Sequence, residues 1–374
     1  MDEHATRDED APHGPLAHGP LEGVRVLDLA GESGLFAGRQ LGELGADVVR
    51  VEPPGGGSER RRQPFLRDAS GPAAASEASL YHLHFNANKR GIALDPASEE
   101  DRGALRSLLE RADLLLRTSD GVDLDAYGIE AGWPAAANPA LVSVDLAAFH
   151  RDGPFADYRA NDLVAVASSG LMYLNGFPED PPVRPGAEQG YHMGALVAAA
   201  GALVALVGRE RDPERRGRRV DVSMQEAASM ATLQTANANI LTWHGRVPAR
   251  VGNRPDGQPG SIYQCGDGRW ISFVVPLGAP ALWRAYVEWM AEEGFADEYA
   301  DPRWNDPAYR QAHWLVTRGV LEALCAKYDR AHVFHEGQRR RMLVMPLNDA
   351  RDLLEDEHFR DRGFYREFDH EPLG

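Results

Sequence analysis

The clearest candidates for chemistry in the chain are two adjacent cations. Lys89 and Arg90 occur in FNANKRGIALD, just ahead of a short apolar run that is typical of a strand. Two cations at one point could bind an anion through charge-assisted hydrogen bonds. A charge pair of this kind can equally be a solvated surface feature. The residues alone leave both interpretations open.

A second candidate is the turn that follows the first predicted strand, where residues 31–38 are GESGLFAG. Such turns bind phosphates in many α/β proteins, because the next helix begins with free N–H groups. The turn lacks the G-x-G-x-x-G pattern, and Glu32 would repel a pyrophosphate, so we expect no nicotinamide or flavin cofactor. Ser33 is not a nucleophile elbow, since Leu35 stands where that motif needs glycine. We expect Ser33 to cap the helix.

The histidines and cysteines do not form a metal-binding pattern. His82 and His84 alternate in YHLHF, and His332 lies close to His335, but neither pair has a carboxylate or cysteine at ligand spacing. The two cysteines are far apart, in neither a metal nor a redox spacing. We therefore expect no metal site.

Composition excludes several classes of partner. The chain has 374 residues, with 40 Lys and Arg against 57 Asp and Glu, for a net charge of −17. Such an acidic surface disfavours nucleic acids and anionic membranes. Residues 1–20 are acidic and rich in Pro and Gly, which predicts a disordered lead rather than a signal peptide. No apolar run approaches the roughly 18–20 residues that span a bilayer. We expect a cytoplasmic protein.

These residues must be positioned by an α/β domain. GVRVLDLA (23–30), a helical pattern over 35–45 and ADVVRVE (46–52) form a βαβ unit. The alternation continues to ALVSVDLAAF at 140–149. This predicts a large doubly wound, Rossmann-like domain with a parallel sheet over residues 21–225.

The second half of the chain has a different pattern. A small-residue apolar helix covers 190–206, and a loop at 247–261 indicates a domain boundary. Alternating apolar residues around GDG predict a hairpin over 263–275. We expect a linker helix and a smaller α+β domain at 226–335, and a return to the large domain at 336–374.

Several ordered motifs together resemble the family III CoA-transferases, the group that includes formyl-CoA transferase and is similar to alpha-methylacyl-CoA racemase. They are LEGVRVLDLAG, LGELGADVVRVEPPGGGSERR, FNANKRGIALD, NPALVSVDLAAF, DLVAVASSGLMYLNG and VGNRPDGQPGSIYQCGDG. The resemblance implies a large α/β domain with a smaller domain inserted late. It also implies two subunits threaded as interlinked rings, acting on an acyl-CoA and a carboxylic acid.

The resemblance also implies where coenzyme A would bind. Its contacts would be Ser33, Asn88, Lys89, Arg90, Leu94 and Arg159. Two departures affect this surface. RTSDG (117–121) replaces the family's E-N-F-R-P-G, and Tyr127 stands where an arginine is common.

In the family, an aspartate attacks the acyl-CoA thioester, and in this chain its position falls on Tyr191. A phenol with a pKa near 10 cannot form the mixed anhydride that a carboxylate forms. Glu188, three residues earlier, is a candidate replacement. The racemase's histidine position holds Asn161, so racemisation by that mechanism is not expected.

Three functions therefore remain open. The chain could be a CoA-transferase with an altered nucleophile such as Glu188. It could be a non-catalytic subunit, paired with a relative that carries the aspartate, so that both a homodimer and a heterodimer are possible. It could also be a CoA-thioester isomerase or hydratase in which Tyr191 moves a proton.

Overall fold

The computed structural model describes residues 19–66, 79–234, 241–242, 245–252, 260–275 and 277–365. These residues form two compact units. The larger contains the chain up to Tyr173 together with Val183–Pro248, and the smaller contains Leu174–Pro182 and Ala249–Phe368. Almost all of the predicted disordered lead and residues 366–374 lie outside the described residues.

The larger unit is built on a six-stranded parallel sheet in the order β3-β2-β1-β4-β5-β6. The strands are β1 (Arg25–Asp28), β2 (Asp47–Glu52), β3 (Lys89–Ala93), β4 (Leu114–Thr118), β5 (Val142–Ala147) and β6 (Arg219–Ser223). The predicted α/β fold with a parallel sheet is confirmed. The strand order reverses direction between β1 and β4, which places a topological switch point there.

Eight α-helices occur among the residues between 35 and 234 that the structure describes. They are α1 (Leu35–Glu43), α2 (Leu80–Phe85), α3 (Glu99–Arg111), α4 (Trp133–Ala137), α5 (Asp162–Ser168), α6 (Leu171–Leu174), α7 (Gln189–Arg211) and α8 (Met224–Gln234). Local sequence explains several ends. Gly45, with a φ of +97°, follows α1 in a left-handed conformation that glycine adopts without strain. Ser98 caps α3 by accepting from the N–H of Asp101 at 3.2 Å.

Both faces of the sheet are covered. Val26 of β1 belongs to one buried cluster and its neighbour Leu27 to another, as the alternation of side chains along a strand requires. The first cluster includes buried residues of α1 and α7, and the second includes Leu105 and Leu109 of α3. Burial on both faces explains why the central strands β1 and β4 are mostly apolar runs.

Helix α7 is the core helix of the first cluster. An 18-residue stretch of this 23-residue helix has a mean hydropathy of 1.7, so by length and composition alone α7 could cross a membrane, and the expectation that no run approaches that length is wrong. Ala195, Ala198 and Ala202 are buried in the cluster that covers the sheet, and a Cβ on Gly201 would lie 2.8 Å from Val220. Close packing on the sheet accounts for the small residues of this face, whereas Leu196, Val204 and Val207 elsewhere on the helix are exposed.

The smaller unit has a three-stranded antiparallel sheet in the order β7-β8-β9. Its strands are β7 (Ile262–Gln264), β8 (Trp270–Val274) and β9 (Leu343–Pro346). The predicted hairpin is confirmed as β7 and β8. The predicted return of 336–374 to the large domain is not observed in its described part. β9 pairs with β8, because its buried Val344 completes the core of this unit.

Helices of the smaller unit are α9 (Pro280–Glu292), α10 (Pro307–Ala312), α11 (Trp314–Lys327), α12 (Arg330–Arg339), α13 (Ala350–Glu355) and α14 (Glu357–Asp361). Its core is aromatic, with Trp283, Tyr286 and Trp289 nearly fully buried. Cys265 and Cys325 are buried there as free thiols. Burial raises the pKa of Cys265 to about 11 and also raises that of Cys325, so both remain protonated at neutral pH.

Candidate functional site

A cavity of about 360 Å³ lies at the carboxyl edge of the large sheet. Its lining includes Gly31, which follows β1, and Asp120, which follows β4. Open parallel sheets bind ligands at such a switch point, outside the carboxyl ends of the strands. A larger cavity, about 460 Å³, borders the same loop and extends across the ends of β5 and β6.

The turn after β1 holds Ser33 against Asp120. Ser33 Oγ donates to Asp120 Oδ1 at 2.6 Å, and the N–H of Ser33 donates to Oδ2 at 3.1 Å. Helix α1 begins after Gly34, with no side-chain cap. The predicted cap is therefore wrong, because the hydroxyl of Ser33 joins this turn to the loop after β4.

Charged groups in and behind one wall of the cavity are already paired. Arg50 Nη2 donates to Glu59 Oε1 at 2.8 Å, and Arg60 Nη2 donates to Glu52 Oε2 at 2.7 Å. Burial alone would raise the pKa of Glu59, but the hydrogen bond with His82 and the charge of Arg50 outweigh it and lower that pKa to about 2. Arg50 therefore neutralises buried carboxylates and is not available to a ligand phosphate.

Glu52, Glu59 and His82 have atoms of metal-ligand type within 4.8 Å of one another. The sequence showed no carboxylate beside His82, yet Glu59 Oε1 lies 3.4 Å from its Nδ1, because the two residues meet only in the fold. A cation here would displace the guanidinium groups of Arg50 and Arg60, which already bind the two carboxylates. This cluster does not fit a metal ion.

Arg62 connects two distant carboxylates. Its Nη1 donates to Glu32 Oε2 at 2.8 Å, and its Nη2 donates to Glu188 Oε1 at 2.5 Å. The guanidinium lies over the ring of Tyr81, 4.3 Å from the centroid. Burial, and after it the negative charge of Glu188, raises the pKa of Tyr81, so its phenol is neutral at pH 7. The predicted candidate Glu188 is thus half of a charge-assisted pair.

The start of α7 is capped by Asp162. Its Oδ1 accepts from the N–H of Gly190 at 2.7 Å and from the N–H of Tyr191 at 3.2 Å. Its Oδ2 accepts from Arg184 at 2.9 Å. Asp162 is 3 % exposed, so this carboxylate is sealed against the helix that it caps.

Tyr191 lies in the first turn of α7, close in the chain to Glu188, and packs against the core cluster. Burial raises its pKa above the usual value of 10, and the negative charges of Asp120 and Glu32 add to the effect. The phenol therefore keeps its proton at neutral pH. It can donate a hydrogen bond there, but it offers no anionic nucleophile.

The two cations of FNANKRGIALD have separate structural roles. Lys89 Nζ is buried, 2.9 Å from Asp28 Oδ2, and it also donates to the carbonyl of Leu35 at 2.8 Å. Arg90 is exposed and pairs with Asp47 at 2.6 Å. The structure does not bring the two cations together as an anion grip, because neighbouring residues of a strand point to opposite faces.

The remaining predicted coenzyme A contacts are dispersed. Asn88 precedes β3 with a φ of +62°. Leu94 is buried after β3, and its carbonyl accepts from the hydroxyl of Tyr127 at 2.7 Å. Tyr127 lines the cavity, where its hydroxyl is therefore already engaged. Arg159 is exposed and forms no ion pair with any described residue.

Arg62, Asp120 and the capping role of Asp162 were not found by sequence reasoning. Arg62 is part of a run of three arginines, a pattern that usually belongs to a solvated surface. Asp120 lies in RTSDG, the segment that departs from the family motif. That departure was the available signal for Asp120, because the loop after β4 lies beside the turn after β1 at the switch point.

Comparison with known proteins identifies the family. Residues 21–374 match the sequence model of CoA-transferase family III. The chain is 34% identical over 355 residues to Succinyl-CoA:(R)-benzylsuccinate CoA-transferase subunit BbsE of Thauera aromatica, covering 94% of this chain and 84% of that protein. It is 30% identical over 350 residues to Formyl-CoA:oxalate CoA-transferase of Streptomyces avermitilis, covering 90% and 82%.

A solved structure agrees with these similarities. A CAIB/BAIF family protein from Brucella suis superposes with a TM-score of 0.79 and 26% identity, covering 92% of this chain and 88% of that one. The sequence motifs, the six-stranded parallel sheet and these matches agree over most of the chain. The chain belongs to CoA-transferase family III.

Proposed function

We propose that the chain is one subunit of a CoA-transferase that moves CoA between an acyl-CoA thioester and a carboxylic acid. A related subunit supplies the aspartate that carries the acyl group. The observation that supports this most directly is the start of α7, where Tyr191 is a neutral phenol and Glu188 is bound to Arg62 at 2.5 Å.

The chemistry requires a free carboxylate. A carboxylate oxygen attacks the thioester carbonyl carbon, the carbon–sulfur bond breaks, and the CoA thiolate leaves a mixed anhydride behind. A phenol with a raised pKa supplies almost no anion at pH 7. A subunit that relies on the aspartate of its partner can lose its own aspartate, here replaced by Tyr191, while it keeps the family fold.

A relative supports the same arrangement. The Thauera aromatica protein, which is 34% identical to this chain, is itself named as a subunit of a CoA-transferase. We infer that this chain assembles with an aspartate-bearing relative. We also infer that the complex acts in the cytoplasm, where acyl-CoA thioesters are used.

Coenzyme A would enter the cavity at the switch point, where the predicted contact Ser33 is bound to Asp120 of the lining. The other predicted contacts, Asn88, Leu94 and Arg159, lie outside this lining. Lys89 and Arg50 are buried in ion pairs, so they would hold the scaffold rather than the phosphates. Arg61, which lines the cavity, and Arg159 are exposed and form no ion pair with a described residue, so they remain available to phosphates.

A reconstitution experiment tests the proposal. The chain, an aspartate-bearing relative and their mixture are each incubated with acyl-CoAs and free carboxylic acids, and new CoA thioesters are measured by mass spectrometry. We expect new thioesters from the mixture, none from the chain alone, and none when the aspartate of the relative is replaced by asparagine.

The same experiment tests a second candidate, in which Glu188 of this chain is the nucleophile. The position of Glu188 supports this candidate, because the residue precedes the first turn of α7 and its side chain is 16 % exposed. New thioesters formed by the chain alone and lost with Glu188→Gln would contradict the subunit proposal and establish this one.

A further inference from the structure

Arg62 is fixed in place by its surroundings. Its carbonyl accepts from the hydroxyl of Ser79 at 2.6 Å, and Ser79 is fully buried. Its guanidinium stacks on Tyr81 and donates to Glu32. These contacts hold the backbone and the charged group independently of Glu188.

Glu188 is not fixed in the same way. It stands at the N-cap of α7 but makes no side-chain hydrogen bond to the helix. The helix amides of Gly190 and Tyr191 are bound by Asp162 instead. Arg62 is the only hydrogen-bond partner of the Glu188 carboxylate among the described residues. The side chain of Glu188 can therefore leave Arg62 without uncapping α7.

The arginine lies at the end of a polar path from the cavity. Ser58 lines the cavity and donates to Glu32 Oε1 at 2.7 Å, and Glu32 in turn accepts from Arg62. The side chain of Arg62 is 34 % exposed, whereas that of Arg50 is 5 % exposed. Of these two arginines, only Arg62 is accessible to a molecule that arrives from solvent.

We propose that Arg62 binds the carboxylate of the acid substrate, and that Glu188 occupies this position until the acid arrives. The incoming carboxylate accepts the Nη2 hydrogen bond, and the Glu188 side chain turns into solvent. One carboxylate replaces another, so the charge next to Arg62 is unchanged. This inference rests on the proposed function, because it assumes that a free acid is a substrate.

The exchange of Glu188 for the acid is tested by direct binding of acetate and of succinate to the purified chain. NMR titration measures the affinity. In Glu188→Gln the competing charge is gone while the shape is kept, so we expect both acids to bind about tenfold more tightly than in the unaltered protein. In Arg62→Gln we expect binding to be lost, and in Arg62→Lys to be weakened, since lysine lacks the paired donors.

Glu43→Gln is the matched control, since Glu43 forms an exposed pair with Arg39 on α1 and should leave binding unchanged. Equal affinity of the unaltered and Glu188→Gln proteins, or no binding to either at about 50 mM acid, would overturn the inference. Neither CoA nor a second subunit is present, so this result is independent of the reconstitution experiment. A merely structural role of Arg62 cannot produce tighter binding in Glu188→Gln.

Discussion

At the scale of single residues, Lys89 shows how a side chain suited to chemistry can serve the fold instead. Its side chain is 1 % exposed and that of its partner Asp28 is 0 % exposed. Burial lowers the pKa of Lys89, and the nearby carboxylate of Asp28 partly opposes that effect. A buried pair of this kind is strongly sensitive to the loss of one partner, because the other charge is left without compensation.

We therefore predict that Lys89→Met lowers the free energy of unfolding by about 3–5 kcal/mol. The neighbouring Arg90→Gln, which removes an exposed pair with Asp47, should change it by less than about 1 kcal/mol. Urea unfolding of both variants measures the difference. Similar small effects for both would show that Lys89 does not lie in a buried ion pair.

At the scale of elements, α7 combines a close-packed face with an open one. Ala198 is fully buried in the core cluster, whereas Ala200 two residues later is exposed on the same helix. The buried face has small residues because Val220 of β6 and Met224 of α8 approach the helix at Gly201 and Gly194. Added volume on that face has no space to occupy.

Ala198→Leu is expected to lower the free energy of unfolding by about 1–3 kcal/mol through overpacking. Ala200→Leu introduces the same side chain on the exposed face and should remain within about 0.5 kcal/mol of the unaltered protein. Chemical denaturation of the two variants provides the comparison, and equal losses would contradict the packing of α7 described above.

At the scale of the whole molecule, the chain contains separate hydrophobic cores. The clusters that cover the large sheet share no residue with the aromatic cluster of the smaller unit. Trp289 is 1 % exposed in the aromatic cluster and stacks on Phe273 with ring centroids 5.7 Å apart. Loss of the Trp289 side chain should therefore destabilise the smaller unit before it affects the larger one.

We expect Trp289→Ala to lower the free energy of unfolding of the smaller unit by about 3–5 kcal/mol. Hydrogen exchange should then speed up in β7, β8 and β9 while the amides of β1 and β4 keep their protection. Faster exchange in all of these strands at once would show that the two units unfold together.

The sequence was sufficient for features set by local pattern. The alternation of apolar runs and helical patterns predicts the parallel sheet, and GDG between alternating residues predicts the hairpin of β7 and β8. It was not sufficient for contacts between distant residues. Ser33 meets Asp120, and Arg62 meets Glu188, only after the crossovers bring their loops to one edge of the sheet. No spacing rule covers such separations.

The buried pair of Lys89 and Asp28 also restricts which sequences can adopt this fold. A Cβ on Gly38 would collide with the Asp28 carboxylate and lie 2.9 Å from Lys89 Nζ, so α1 can approach β1 only without a side chain there. A sequence that replaces the lysine by an apolar residue must also remove the aspartate, and can then accept alanine at position 38. Among chains of this fold, the three positions are therefore expected to vary together.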